Sequence, residues 1–144
     1  MPRWADFAAA EPELAREVKA RFAIRKHNTL ATLRKDGSPR ISGIEVQFAD
    51  GELYLGMMPD SRKLSDLRRD PRLAVHSPTE DPPQKRAAEW RGEAKIAGRA
   101  VEAGANRVSV DIAEGVLTHL NQAGNRLVVE SWPPGRGRQR LERA

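Results

Sequence analysis

The sequence contains no cysteine. That excludes disulfides, thiolate metal sites and cysteine nucleophiles, and it fits a cytoplasmic protein. No apolar run approaches the roughly 20 residues needed to span a bilayer. The first residues, Met1-Pro-Arg-Trp-Ala-Asp-Phe7, lack the basic-then-apolar pattern of a signal peptide. There is no Gly-x-Ser-x-Gly elbow, no Walker loop and no Rossmann fingerprint. His27, His76 and His119 lie far apart, in no metal-ligand spacing, and read as strand-end or surface histidines. The carboxylates are scattered along polar faces, and no pair announces acid/base work. Internal repeats are absent, as is any linker long enough to divide domains.

What is present fits one domain over residues 1–144, with a loosely attached start at 1–9 and an Arg-rich tail at 135–144. Hydrophobic residues make up 39% and charged residues 31%, a globular but polar balance. The net charge of +5 is uneven. The tail carries +3 of it, as does segment 62–72. The high pI is therefore largely a tail property, which weakens the case for a nucleic-acid-binding face.

Pro12 suits a first helical turn, and Leu14, Val18 and Phe22 form one apolar stripe. Glu17 and Arg21 are spaced for a helical ion pair. Strands follow at 29–33 and about 40–48, joined by the Asp36-Gly37 turn. Ile44, Val46 and Phe48 face one side of the second strand, and Glu45 and Gln47 the other. Asp50-Gly51 turns the chain into a third strand at 53–57. A short helix at about 61–69 places Leu64 and Leu67 inward, and Pro71 stops it. A fourth strand spans 73–76. Ser77–Arg86 is a polar, proline-containing loop. A long strand is expected from 90 to 102, with bulges or bends at Gly92 and Gly98. Residues 108–112 alternate as a strand, 115–120 continue it or form a turn of helix, and 127–132 is the last strand. Six or seven strands with an opening helix and an inserted helix predict a mainly β fold, a small antiparallel β-barrel with α-helices at its ends.

One stretch is electrostatically odd. Arg62 and Lys63 fall in the first turn of the inserted helix, where the dipole disfavours cations unless an anion sits nearby. Helix N-termini bind phosphate through their free N–H groups. The ordinary alternative is that both side chains splay into water. Beside this helix start lies Leu55-Gly-Met-Met-Pro59. Gly56 lets a flat group approach the backbone, and Met57 and Met58 are adaptable contacts or plain core residues. The combination suits a flat heterocycle with a phosphate tail.

Several segments follow one another in a familiar order: Leu30-Ala-Thr-Leu33, Asp36-Gly-Ser-Pro39, Gly51-Glu-Leu-Tyr-Leu55, Ser61-Arg-Lys63 and Asp70-Pro-Arg-Leu-Ala-Val75. Together they resemble the pyridoxamine 5'-phosphate oxidase-like, FMN-binding split β-barrel family over about residues 22–76. The closing Glu130-Ser-Trp-Pro-Pro-Gly-Arg136 is similar to the end of many small actinobacterial members. The resemblance implies a six-stranded antiparallel split β-barrel. It also implies a homodimer with two cofactor sites at its interface. Ser61, Arg62 and Lys63 would bind the cofactor phosphate. Ile41, Ser42, Gly43 and Ile44 would run along the ring, and Leu55, Gly56, Met57 and Met58 would lie beside ring and ribityl. The cofactor would be FMN or the deazaflavin F-420, and the protein an oxidoreductase acting on a small molecule. The sequence departs from the true oxidases: Ser42 stands where they carry a phosphate-gripping arginine, and their C-terminal arginine and histidine motif is not recognisable. Both departures argue against vitamin B6 oxidation.

Two other classes are open. One is a non-catalytic module that stores or senses a flavin or haem. The other is nucleic-acid binding by the tail, which offers Gly and Arg but no aromatic after Trp132 for stacking.

Overall fold

The computed structural model describes residues 2–133 and 138–143. Among these residues three α-helices and eight strands follow in the order α1 (Trp4–Ala10), α2 (Pro12–Phe22), β1 (His27–Leu33), β2 (Pro39–Ala49), β3 (Glu52–Gly56), α3 (Arg62–Arg69), β4 (Arg72–His76), β5 (Glu93–Glu102), β6 (Arg107–Leu120), β7 (Leu127–Trp132) and β8 (Gln139–Arg143). A single turn of 3-10 helix at Ala87–Glu89 interrupts the long loop before β5.

All strand pairings are antiparallel. Strands β1 to β6 close on themselves, because β3 pairs with β6 as well as with β2. The closing register sets Tyr54 opposite Ser109, Leu55 opposite Val108 and Gly56 opposite Arg107. This is the expected six-stranded antiparallel split barrel. Beyond it, β7 and β8 extend the sheet from the second half of β6. Closure buries a largely apolar inner face. Leu30, Leu53, Leu55, Val75, Ile96, Val108, Val110 and Ile112 all point inward and are fully buried. Their alternation with outward polar residues is the period-2 pattern that a half-buried strand requires.

Residues 107–120 form one continuous strand of 14 residues. The segment around 115–120 is therefore strand and not helix. Its partner β5 carries a bulge at Ala97/Gly98. A side chain at Gly98 would run into the Asp111 carbonyl at 1.9 Å, so glycine is what lets the two strands approach there.

Three expectations are corrected. The start of the chain is not loose. Trp4 and Phe7 are buried, the Ala5 N–H donates to the Gly51 carbonyl at 2.9 Å, and Phe7 stacks on Trp132 with ring centres 4.9 Å apart. Seven residues with two aromatic anchors show no repeating stripe, so periodicity could not reveal this helix. Second, 127–132 is not the last strand: Gln139–Arg143, within the Arg-rich tail, is the edge strand β8, paired with β7 and exposed at every side chain. The start of that tail, residues 135–137, lies outside the described residues. Third, Arg21 does not pair with Glu17. It is buried, its Nη1 lies 3.5 Å from Glu80, and Glu17 meets Arg91 at 4.0 Å. The 77–86 loop folds back over α2 and captures it, a contact set by tertiary structure and invisible to helical spacing. Burial, with Arg91 nearby, lowers the Arg21 pKa.

Candidate functional site

The site is organised by α3 and by how it is held. Ser61 caps the helix: its hydroxyl accepts the Leu64 N–H at 3.4 Å. The Arg62 and Lys63 N–H groups then lack intrahelical acceptors, as the first two of any helix do. The first turn carries no acidic residue. Inward, Leu64 and Leu67 are buried against the barrel. Asp66 locks the helix down. Its carboxylate accepts from the Thr32 hydroxyl at 2.7 Å, Arg40 Nε at 2.7 Å and Arg69 Nη2 at 3.0 Å. Burial alone would raise the Asp66 pKa. The hydrogen bonds from Arg40, Thr32 and Arg69 together outweigh it and hold the carboxyl below its ordinary value. Arg40, the arginine that β2 does carry, is thus committed to α3.

In front of the α3 start lies a groove of about 770 Å³ on the outer face of the barrel. That volume matches small-molecule sites. Its floor is a row fixed by strand register. His27 of β1 lies opposite Glu45 of β2, Glu45 opposite Gly56 of β3, and Gly56 opposite Arg107 of β6. Because alternate residues of a strand share a face, Gly43 and Gln47 join Glu45 outside while Ile44 points in. Nothing lies within 4 Å of where a Cβ would sit on Gly43 or Gly56, so both glycines open flat floor rather than relieve crowding. The Glu45 carboxylate stands 3.6 Å from both Lys26 and His27. Arg107 lies over the Tyr54 ring at 4.1 Å from its centre.

Of the expected residues, Gly43, Ile44, Gly56, Met57, Met58 and Lys63 line this groove. Met57 is buried beneath it while Met58 is 74% exposed, so neighbours in sequence serve opposite sides. Ser61 acts as the cap just described, and Arg62 is exposed at the helix start, outside the lining. Ile41 is exposed further along β2, Ser42 is half-buried on the inward side, and Leu55 is fully buried in the barrel core. None of these three reaches the groove. Sequence reasoning missed His27, Glu45, Gln47, Asn106 and Arg107, which do line it. Only the sheet register and the β3–β6 closure bring them together. Asn106, at φ 57° in the β5–β6 turn, accepts the Met57 N–H at 2.9 Å and so ties the β3 end to that turn.

Among the described residues no group of three or more His, Asp or Glu could hold a metal ion. No described helix is long and apolar enough to cross a membrane.

Comparison with known structures returns the same architecture. An FMN-binding, pyridoxamine 5'-phosphate oxidase-related protein from Nostoc punctiforme superposes with a TM-score of 0.62 at 9% identity, covering 96% of this chain and 97% of that one. PhzG from Burkholderia lata, solved with tetrahydrophenazine-1-carboxylic acid, gives 0.59 at 13% identity over 98% and 93%. A heme-binding protein from Mycobacterium smegmatis gives 0.55 at 16% identity, over 81% of this chain and 57% of that one. At these identities the likeness is one of fold. No curated protein matches the sequence. The family profile described as pyridoxamine 5'-phosphate oxidase matches residues 14–127, from α2 through the closed barrel to the start of β7. The chain belongs to the pyridoxamine 5'-phosphate oxidase family.

Proposed function

We propose that the groove binds FMN or the deazaflavin F-420 and that the protein is an oxidoreductase for a small molecule. The observation that carries this reading is one juxtaposition. Lys63, at the unpaired N-terminus of α3, lines the same groove as the bare backbone of Gly43 and Gly56. The residues fit the group. A flat ring can lie on the glycine floor, Met57 and Met58 offer it polarisable contacts, and Lys63 with the α3 N–H groups offers a phosphate seat. Asp66 serves by fixing the helix that presents Lys63.

Hydride transfer is the chemistry such a cofactor supplies when bound, and the protein contributes binding, orientation and electrostatics. That division of labour accounts for a groove without an acid/base pair of the usual kind. The groove lies open on the barrel's outer face, which supports a homodimer in which a second copy covers it. The structures named above, one described as FMN-binding and one as solved with a small aromatic acid, support a ring-binding site on this fold.

The test is the absorbance spectrum of the purified protein, with fluorescence titrations of FMN and F-420. Saturable binding of either, lost with Arg62→Ala and Lys63→Ala together, is the expected result. No binding of either overturns the proposal. A Soret band in place of a flavin spectrum would select the haem-binding alternative.

A further inference from the structure

Arg107 is arranged in a way that the phosphate seat at Lys63 does not use. Its guanidinium carbon lies 4.1 Å from the centre of the Tyr54 ring. Its Nε–H donates to the Ala103 carbonyl at 3.0 Å. The two contacts hold the guanidinium group from two sides. Among the described residues its terminal amino groups make no hydrogen bond, and Arg107 lines the groove. Among the described residues no carboxylate pairs with Arg107, whereas Glu45 across the groove is already engaged by Lys26 and His27. The uncompensated charge on the groove wall is therefore positive, at Arg107 and at Lys63.

An ordinary surface arginine is mobile and loses rotamer freedom when it grips a ligand. This one is held in advance, so less is lost for each hydrogen bond it forms. A planar fork whose two terminal amino groups are unengaged suits two parallel bonds to a carboxylate or phosphate. The position matters too. Glu45, Gly56 and Arg107 stand on three adjacent strands, so Glu45 and Arg107 flank the bare Gly56 about 10 Å apart, two strand spacings. A flat ring system over Gly56 would meet Arg107 at its rim.

We infer that Arg107 anchors an anionic oxygen group, a carboxylate or a phosphate, on a flat ligand lying over Gly56. The inference rests on the reading that this groove is the ligand site, but not on the ligand's being a flavin. The anion belongs either to the second reactant or to the cofactor, and the experiment separates the two.

Wild-type protein and the variant Arg107→Gln are titrated with 2-naphthoate and with its neutral isostere 2-naphthamide, and in parallel with FMN and riboflavin. A wild-type preference for naphthoate over naphthamide of about tenfold, abolished in R107Q, supports an anchor for the second reactant. A loss of about tenfold in FMN affinity in R107Q, with riboflavin unchanged, supports an anchor for the cofactor's phosphate. If R107Q changes neither, the inference is overturned. A protein that binds no flavin yet prefers naphthoate through Arg107 refutes the flavin reading and leaves the anchor standing. Near-ultraviolet circular dichroism checks folding. Should R107Q fold poorly, Arg107→Lys is read in its place. It keeps the stem and charge but loses the planar fork, and a loss of about threefold is expected. No loss in R107K then overturns the inference.

Discussion

Lys63 and Asp66 stand about one turn apart on α3 and do different work. Lys63 looks into the groove, and Asp66 is 2% exposed, with three donors on its carboxylate. Removing the first should cost binding, and removing the second should cost folding. Arg62→Ala with Lys63→Ala is expected to weaken FMN or F-420 binding at least about tenfold while the thermal midpoint stays within a few degrees. Equilibrium titration and a melting curve check both halves. Asp66→Ala leaves Arg40 without its carboxylate and is expected to cost about 3 kcal/mol in urea unfolding. The same group sets an acid limit. Its folded pKa lies below its ordinary 3.8, so the folded state binds fewer protons than the unfolded one near that pH. The stabilisation is fully present above that value and disappears as pH falls through the lower, folded pKa. Wild-type stability should therefore fall on acidification below about pH 4, and the Asp66→Ala variant should show a shallower slope there. Lys63 was legible from sequence because a cation in a first helical turn is anomalous by itself. Asp66 was not, because its partners sit 34 and 26 residues away on β1 and β2.

At the scale of elements, α1 is the part that local patterns understate. Phe7 is fully buried, stacked on Trp132, and its ring lies 2.7 Å from where a Cβ on Gly115 would stand. Phe7→Ala is expected to destabilise the protein by about 3–5 kcal/mol, as large-to-small changes at buried aromatics do. Gly115→Ala should push α1 off the barrel and lower the unfolding midpoint as well, because the clash is with a fully buried ring stacked on Trp132 and met edge-on by Trp4. Denaturant titration of the two variants and their double mutant should show losses that do not add, since both act on one contact. The strands, by contrast, were legible. Two Asp-Gly turns and clean alternation located β1, β2 and β3 within a residue or two. Those signals lie within a few residues of one another along the chain. The strand character of 115–120 depended on pairing with both β5 and β7, which no local pattern records.

At the scale of the whole molecule, the groove is open on one side, and the proposed function needs a cover. The protein, 16.0 kDa as a monomer, is expected to scatter light as a particle of twice that mass. A monomer at micromolar concentration would leave the cofactor ring exposed and would contradict the dimer part of the proposal. The net charge of +5 has its own expected outcome. Its tail share is carried in part by β8, an edge strand whose side chains are all exposed. Charged side chains on an edge strand resist pairing with other chains. Deleting residues 138–144 should therefore increase aggregation on concentration, measured by light scattering, while leaving FMN or F-420 titrations unchanged.

The sequence by itself determined the class of fold, the family and the unusual helix start proposed as a phosphate seat. Each of these is written in residues close together: alternation, turn dipeptides, a cap followed by two cations. What only the tertiary structure decided is the groove. Its floor row, His27, Glu45, Gly56 and Arg107, comes from four strands spread over 80 residues of chain. The physical reason is closure. A strand's own sequence says which residues share a face, but its register against a distant strand decides which of them share a row.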